Sequence, residues 1–176
     1  MSVFLALDVD DAVRREVMTL TSAERASVKG KWLPAEKLHL TLVFLGNPTA
    51  DQVQTLVPRV HALATGSTAF SLHLAGAGTF VTARAPSVLW LGVGGDVWAL
   101  EALRARAVAK LEPGDARREQ PFRPHVTLAR AHTEQALDPV ASAYARFTSA
   151  AFRVTYLTLY ESTHHQFRKL VVAPFP

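Results

Sequence analysis

Cysteine is absent from the 176-residue chain. Its absence excludes thiol nucleophiles, disulfides and cysteine-ligated zinc. It also fits a reducing compartment, so a cytoplasmic location is expected. No apolar run reaches the ~18 residues of a membrane span, and no membrane partner is expected. The opening segment, MSVFLALDVDDAVRREV, has no basic stretch ahead of its short apolar run, and Asp8, Asp10 and Asp11 follow that run directly. It does not read as a secretion signal. Metal-ligand spacing is missing as well: His164 and His165 are adjacent, and no Asp or Glu is spaced with them to complete a site. GVGGD (92–96) lies between a predicted strand and a predicted helix but completes neither a dinucleotide nor a P-loop pattern, so it reads as a turn. Neither a metal nor a cofactor is expected.

What is present describes a globular protein. Residues are 49% hydrophobic and 19% charged, and a chain of this length should bury roughly 70% of its unfolded surface. The net charge of +4 leans modestly toward anionic partners. Apolar strand patterns occupy 2–9, 38–46, 70–81, 87–95, 125–131, 152–162 and 168–175. A helix is predicted from an Asp10 N-cap to about Arg25, and a second from Thr49, where Pro58 predicts a kink or a late start. The clearest helix is 97–111, with apolar spacing at Leu100, Leu103, Ala107 and Leu111. Residues 112–124 read as a loop, and a last helix is expected around 134–147. The halves share element order, and no strong linker separates them. The expectation is one domain, 1–176. Its class is α+β: two pseudo-symmetric lobes, antiparallel β-sheets lining a central cleft, and helices outside.

One short pattern occurs twice. Residues 37–46 read KLHLTLVFLG and residues 123–132 read RPHVTLARAH, with His39 and His125 86 positions apart. On a strand, His39 and Thr41 share one face and Leu40 and Leu42 the other; His125 and Thr127 stand likewise against Val126 and Leu128. A single His-x-Thr is best read as an amphipathic strand with an incidental histidine. Two copies on equivalent strands can face one cleft. A histidine pair can hold one protonated and one neutral ring near neutral pH, which is what paired acid and base catalysis requires. A threonine hydroxyl two residues on could bond a phosphate oxygen or orient a ring. Five residues after His39 stands Phe44, and five after His125 stands Arg130. Arginine beside a phosphate site is a plausible fork for its oxygens. Strict alternation puts Arg130 on the face opposite His125, so its reaching the cleft requires a bulge or the strand's end.

These motifs and their flanks resemble the two-histidine (2H) phosphoesterases, and within them the bacterial and archaeal RNA 2′,3′-cyclic phosphodiesterases, also called 2′-5′ RNA ligases. The resemblance runs through the FLALDV start, WLPAEKLHLTLVFLG (32–46), VLWLGV (88–93), FRPHVTLAR (122–130) and LYES (159–162). It implies metal-independent hydrolysis of terminal RNA 2′,3′-cyclic phosphates to 2′-phosphates, with possible reverse 2′-5′ ligation. By family role, His39 would be the proton donor and His125 the proton acceptor, an order that the symmetry of the motif leaves open. Thr41, Thr127 and Arg130 would bind substrate. The implied partners are RNA ends or small 2′,3′-cyclic nucleotides, and a monomer is expected. The family pattern implies a tyrosine in the closing segment, where this chain has Phe167. The alternative reading is a non-catalytic RNA-binding module using the same cleft. A metal hydrolase lacks carboxylates at ligand spacing.

Other residues attract less. His61 and His73 read as ordinary surface or satisfied histidines, and His132 as loop. Arg117, Arg118 and Arg123 could steer RNA phosphates or belong to a solvated loop. Trp32, Phe80 and Trp90 could stack a base, with core packing the better reading for Trp90 in its apolar strand.

Overall fold

A computed structural model describes residues 1–82, 85–114, 121–131, 137–163 and 166–176, without the side chains of 82 and 85. The sequence-predicted candidates Arg117, Arg118, His132, His164 and His165 lie outside the described residues. Among those described, the order is β1 (Ser2–Asp8), α1 (Asp11–Leu20), α2 (Ser22–Ser27), β2 (Lys31–Trp32), a 3₁₀ turn (Ala35–Lys37), β3 (His39–Gly46) and α3 (Ala50–Thr65). There follow β4 (Phe70–Thr82), β5 (Ala85–Gly95), α4 (Val97–Leu111), β6 (His125–Ala131), α5 (Asp138–Ala143), β7 (Phe152–Val154), β8 (Tyr156–Ser162) and β9 (Phe167–Pro174).

The described strands form one antiparallel sheet, in the order β7-β4-β5-β6-β3-β1-β8-β9, with β2 beside β6. The order is symmetric about the β6–β3 junction, where the two expected lobes meet. Only Thr155 separates β7 at one end of the sheet from β8 near the other. One intervening residue spans at most about 7 Å. The sheet must therefore curl until its two ends nearly meet, which leaves a convex outer face and a concave inner one.

The outer face carries the core. Leu5, Leu7, Leu40, Leu72, Leu89, Leu91, Val126 and Leu159 are all buried there with Val13 and Val17 of α1, Val60 of α3, and Leu100 and Leu103 of α4. Fully burying one such side chain stabilises by roughly 1.5–3 kcal/mol. The inner face has a much smaller apolar cluster of Phe4, Ala6 and Tyr160, with Phe167 packed against it. That imbalance leaves the concave face open for other uses.

Several local expectations hold. Asp10 caps α1 by accepting from the Val13 amide at 2.8 Å. Thr49 and Gln52 form a reciprocal capping box on α3. Others need correction. The predicted 10–25 helix breaks at Thr21, whose buried hydroxyl donates to the Val17 carbonyl and accepts from Arg25, a back-bonding that bends helices. Helix α3 begins at Ala50 and runs through Pro58 instead of starting late. The last helix is described only over Asp138–Ala143. The predicted 152–162 strand is two strands with different neighbours, because the Thr155 carbonyl is taken by the Phe175 amide. Gly92 and Gly94 belong to β5, and the turn of GVGGD comes only at its end.

Candidate active site

His39 opens β3 and His125 opens β6, the two strands at the centre of the sheet. Leu40 pairs with Val126 across them, and both are buried in the outer core. Side chains alternate faces. His39 and Thr41, flanking Leu40, and His125 and Thr127, flanking Val126, therefore all turn to the concave face. A single antiparallel pairing brings the two motifs together about a local pseudo-twofold axis.

Both rings are fixed in the same way. Nδ1 of His39 is 2.7 Å from the Lys37 carbonyl, and Nδ1 of His125 is 2.7 Å from the Arg123 carbonyl. A carbonyl only accepts, so each Nδ1 carries a hydrogen and donates it. Nε2 of each ring is left as the nitrogen able to take or give a proton. The Thr41 hydroxyl lies 3.1 Å from Nε2 of His39 and donates to it when the ring is neutral. Burial pushes both histidines below their ordinary 6.5. The Lys37 carbonyl and the Asp8 charge oppose the fall at His39, as the Arg123 carbonyl does at His125. Arg130 presses down on both rings, so its charge is felt at each.

Arg130 faces the cleft because β6 bulges. Along β5, Leu89 pairs with Ala129 but Trp90 pairs with Thr127, leaving Leu128 without an opposite residue. Leu128 and Ala129 are then both buried in the outer core, and Arg130 returns to the face of His125 and Thr127. Strand β3 repeats the device. Leu5 pairs with Val43 and Ala6 with Thr41, so Leu42 is the extra residue and Phe44 returns to the face of His39. The two strands share the same burial sequence over their first six residues. Phe44 and Arg130 thus occupy equivalent, exposed positions, one apolar and one cationic.

Moving outward from the centre, the halves diverge. His39 pairs with Asp8 where His125 pairs with Gly92, and Thr41 pairs with Ala6 where Thr127 pairs with Trp90. One strand further out, Tyr160 and Thr158 stand where the other half has Phe80 and Gly78. The His39 half holds a buried polar network. The Asp8 side chain is 2% exposed. It accepts from Tyr160 at 2.5 Å, Lys169 at 2.6 Å, Tyr156 at 3.3 Å and Thr158 at 3.4 Å. Burial pushes its carboxyl up, but the hydrogen bonds from Lys169 and Tyr160, together with the charges of Lys169 and Arg14, hold it below the usual carboxylate value. Burial and the Asp8 carboxylate push both Tyr156 and Tyr160 up, so both stay protonated as donors. The His125 half is aromatic. Phe80 meets His125 edge-on at 4.9 Å between centroids, and Trp90 lies 6.3 Å away. The Trp90 indole covers Gly78, where a Cβ would come within 2.3 Å of the ring.

Sequence reasoning overlooked Asp8. Its signal was present in YLTLY (156–160), where alternation puts three hydroxyls, those of Tyr156, Thr158 and Tyr160, on one face in need of an acceptor. Trp90 is a correction. It is half-buried on the cleft face, while its neighbours Leu89 and Leu91 enter the core. Trp32 instead packs structurally, with its indole donating to the Val28 carbonyl and Arg25 over its ring. Phe167 packs edge-on against His39 at 5.4 Å, with the Lys37 ammonium over its ring. His61 is exposed on α3, and His73 lies half-buried on β4 over Gly94. Arg123 is exposed, and its carbonyl rather than its guanidinium is what meets His125. Among the described residues, no three metal-ligating side chains gather in one place, and no helix is long and apolar enough to cross a membrane.

The curled antiparallel sheet is a fold found in solved structures. The chain superposes on Escherichia coli LigT complexed with phosphate with a TM-score of 0.72 at 26% identity, covering 99% of this chain and 96% of that one. It belongs to the 2′-5′ RNA ligase superfamily, whose model matches residues 9–166. An RNA 2′,3′-cyclic phosphodiesterase of Geobacillus stearothermophilus is 30% identical over 176 residues, covering 98% of this chain. This chain spans 56% of the length of that relative. An Escherichia coli protein of the same name is 29% identical over 167 residues, covering 91% of this chain and 86% of that protein.

Proposed function

We propose that this protein hydrolyses RNA 2′,3′-cyclic phosphate ends to 2′-phosphates by paired histidine catalysis without a metal. The observation that carries the reading is the pair of alike-tethered rings: both Nδ1 atoms are tied to backbone carbonyls, and both Nε2 atoms, that of His39 beside the Thr41 hydroxyl, are left on one face to take or give a proton. In the forward direction, Nε2 of His125 takes a proton from water as its oxygen attacks phosphorus. The bond from phosphorus to the 3′ oxygen breaks, and Nε2 of His39 protonates that oxygen. The products are a 2′-phosphate and a 3′-hydroxyl. Negative charge grows on the non-bridging oxygens, where Thr41, Thr127 and the Arg130 guanidinium donate hydrogen bonds. The reverse path joins a cyclic phosphate to a 5′-hydroxyl as a 2′-5′ linkage, using the same groups.

The relatives named RNA 2′,3′-cyclic phosphodiesterase support this substrate class, as do Escherichia coli LigT structures complexed with phosphate and with 3′-AMP. The test is turnover of a nucleoside 2′,3′-cyclic phosphate in EDTA, with the product identified by phosphorus NMR. A 2′-phosphate with undiminished rate in EDTA is expected. Salt-sensitive RNA binding without turnover of any cyclic phosphate would replace this reading with a binding module, and inhibition by EDTA would replace it with a metal hydrolase.

A further inference from the structure

The cleft is symmetric at its centre and asymmetric one strand out, and the asymmetry bears on the two histidines. Asp8 stands in register opposite His39. It is buried and fixed by four donors from β8 and β9. The equivalent residue opposite His125 is Gly92. A Cβ there would lie 2.5 Å from the Ala75 carbonyl oxygen, a backbone atom, so no side chain fits.

We propose that Asp8 is the positioning residue that sets the direction of proton transfer, its buried charge holding the proton on His39 while the matching place beside His125 is closed to any carboxylate. This rests on the two-histidine reading given above. Asp8 is not a catalytic residue, because it acts through the ring of His39 without touching substrate.

The surrounding groups favour this assignment. Around His39 and Asp8 stand Arg14 and Asp11 on α1, Lys37 ahead of β3, His125 and Arg130 on β6, Tyr156 and Tyr160 on β8, and Lys169 on β9. Asp11 is 85% exposed, and water screens it. The tyrosines stay neutral. Asp8 is thus the buried anion of this set, and its charge raises the proton affinity of His39 against burial and the nearby cations. Among the described residues no carboxylate acts on His125, where Arg130 adds to the effect of burial. His39 is left with the support a general acid needs, and His125 with the neutral ring a general base needs.

The test is a pair of variants with opposite signs. Asp8→Asn removes the anion. Lys169→Met removes the cation that offsets it, at a side chain 48% exposed, so the fold tolerates the change. The readout is the titration of each histidine ring by NMR in the free protein, followed by the pH dependence of kcat/KM on a cyclic nucleotide. Asp8→Asn should lower the His39 midpoint and cost about tenfold in rate at neutral pH, the effect of about one unit of proton affinity. Lys169→Met should raise the His39 midpoint. In both variants His125 should move less than His39. If His39 moves in neither variant, or if His125 moves as far, the proposal is overturned. Should Asp8→Asn fail to fold, the sign of Lys169→Met decides alone. The titration does not require turnover. A wild-type protein inert toward cyclic phosphates would overturn the functional reading while leaving the Asp8 result intact.

Discussion

The two halves of the cleft are built from one plan and finished differently. At the centre, β3 and β6 match in motif, in bulge and in ring tether. Outward from the centre, the His39 half carries a carboxylate on β1, two tyrosine hydroxyls on β8 and a lysine on β9. The His125 half carries Trp90, which lies over Gly78, and Phe80, which packs against Trp90 and His125. On the proposed reading, the shared geometry serves two proton carriers on one phosphate site, and the divergent surroundings, with Asp8 opposite His39 and Gly92 opposite His125, assign their roles.

The strongest way to break the comparison is to remove either centre. His39→Ala and His125→Ala should each lower turnover of a cyclic nucleotide by about 10²–10⁴-fold, with circular dichroism and melting temperature unchanged. A loss confined to one variant would mean that the halves are not partners. In the wild type, kcat/KM should follow a bell-shaped pH curve. Its acid limb is protonation of His125 and its basic limb is loss of the proton from His39. Both rings are pushed below 6.5 by burial, so the maximum should fall on the acid side of that value.

The matched outer positions give the next test. Arg130→Ala removes charge-assisted hydrogen bonds worth about 1.5–3 kcal/mol, a loss of roughly 10–150-fold in kcat/KM. Phe44→Ala, at the equivalent place in the other half, should cost no more than a few fold. Gly92→Ala forces a Cβ against the Ala75 carbonyl and should destabilise by about 1–3 kcal/mol, lowering Tm by several degrees in a thermal melt. Among the hydrogen-bonding groups the smallest effects belong to Thr41→Val and Thr127→Val. Each deletes a single hydrogen bond from a neutral donor to a charged phosphate oxygen, worth about 1.5 kcal/mol and roughly tenfold in rate.

Much of this was legible in the sequence because it depends on local periodicity. Alternation alone put His39 with Thr41 and His125 with Thr127, and the duplicated motif pointed to a two-lobed α+β fold. The same alternation placed Arg130 on the wrong face unless a bulge intervened, and the bulge falls at Leu128. Its location could not be read from the chain, because it is fixed by the pairing of β6 with β5. Trp90 was misjudged for a related reason. A run such as VLWLGV is apolar on both faces, so composition does not say which face meets the core. Asp8 was overlooked because its partners lie about 150 residues away on β8 and β9. Only the sheet order brings them together. The break at Thr155 was hidden too, since one exposed residue carries the chain from one end of the curled sheet to the other.

The division of labour between the halves is tested most directly by changing the leaving group. A 2′,3′-cyclic substrate with sulfur in place of the 3′ oxygen expels a thiolate, which needs no proton from an acid. His39→Ala should recover most of its lost rate on this substrate, while His125→Ala should not, because water still requires a base. Recovery by His125→Ala instead, or by both variants equally, would contradict the assignment of His39 as acid and His125 as base.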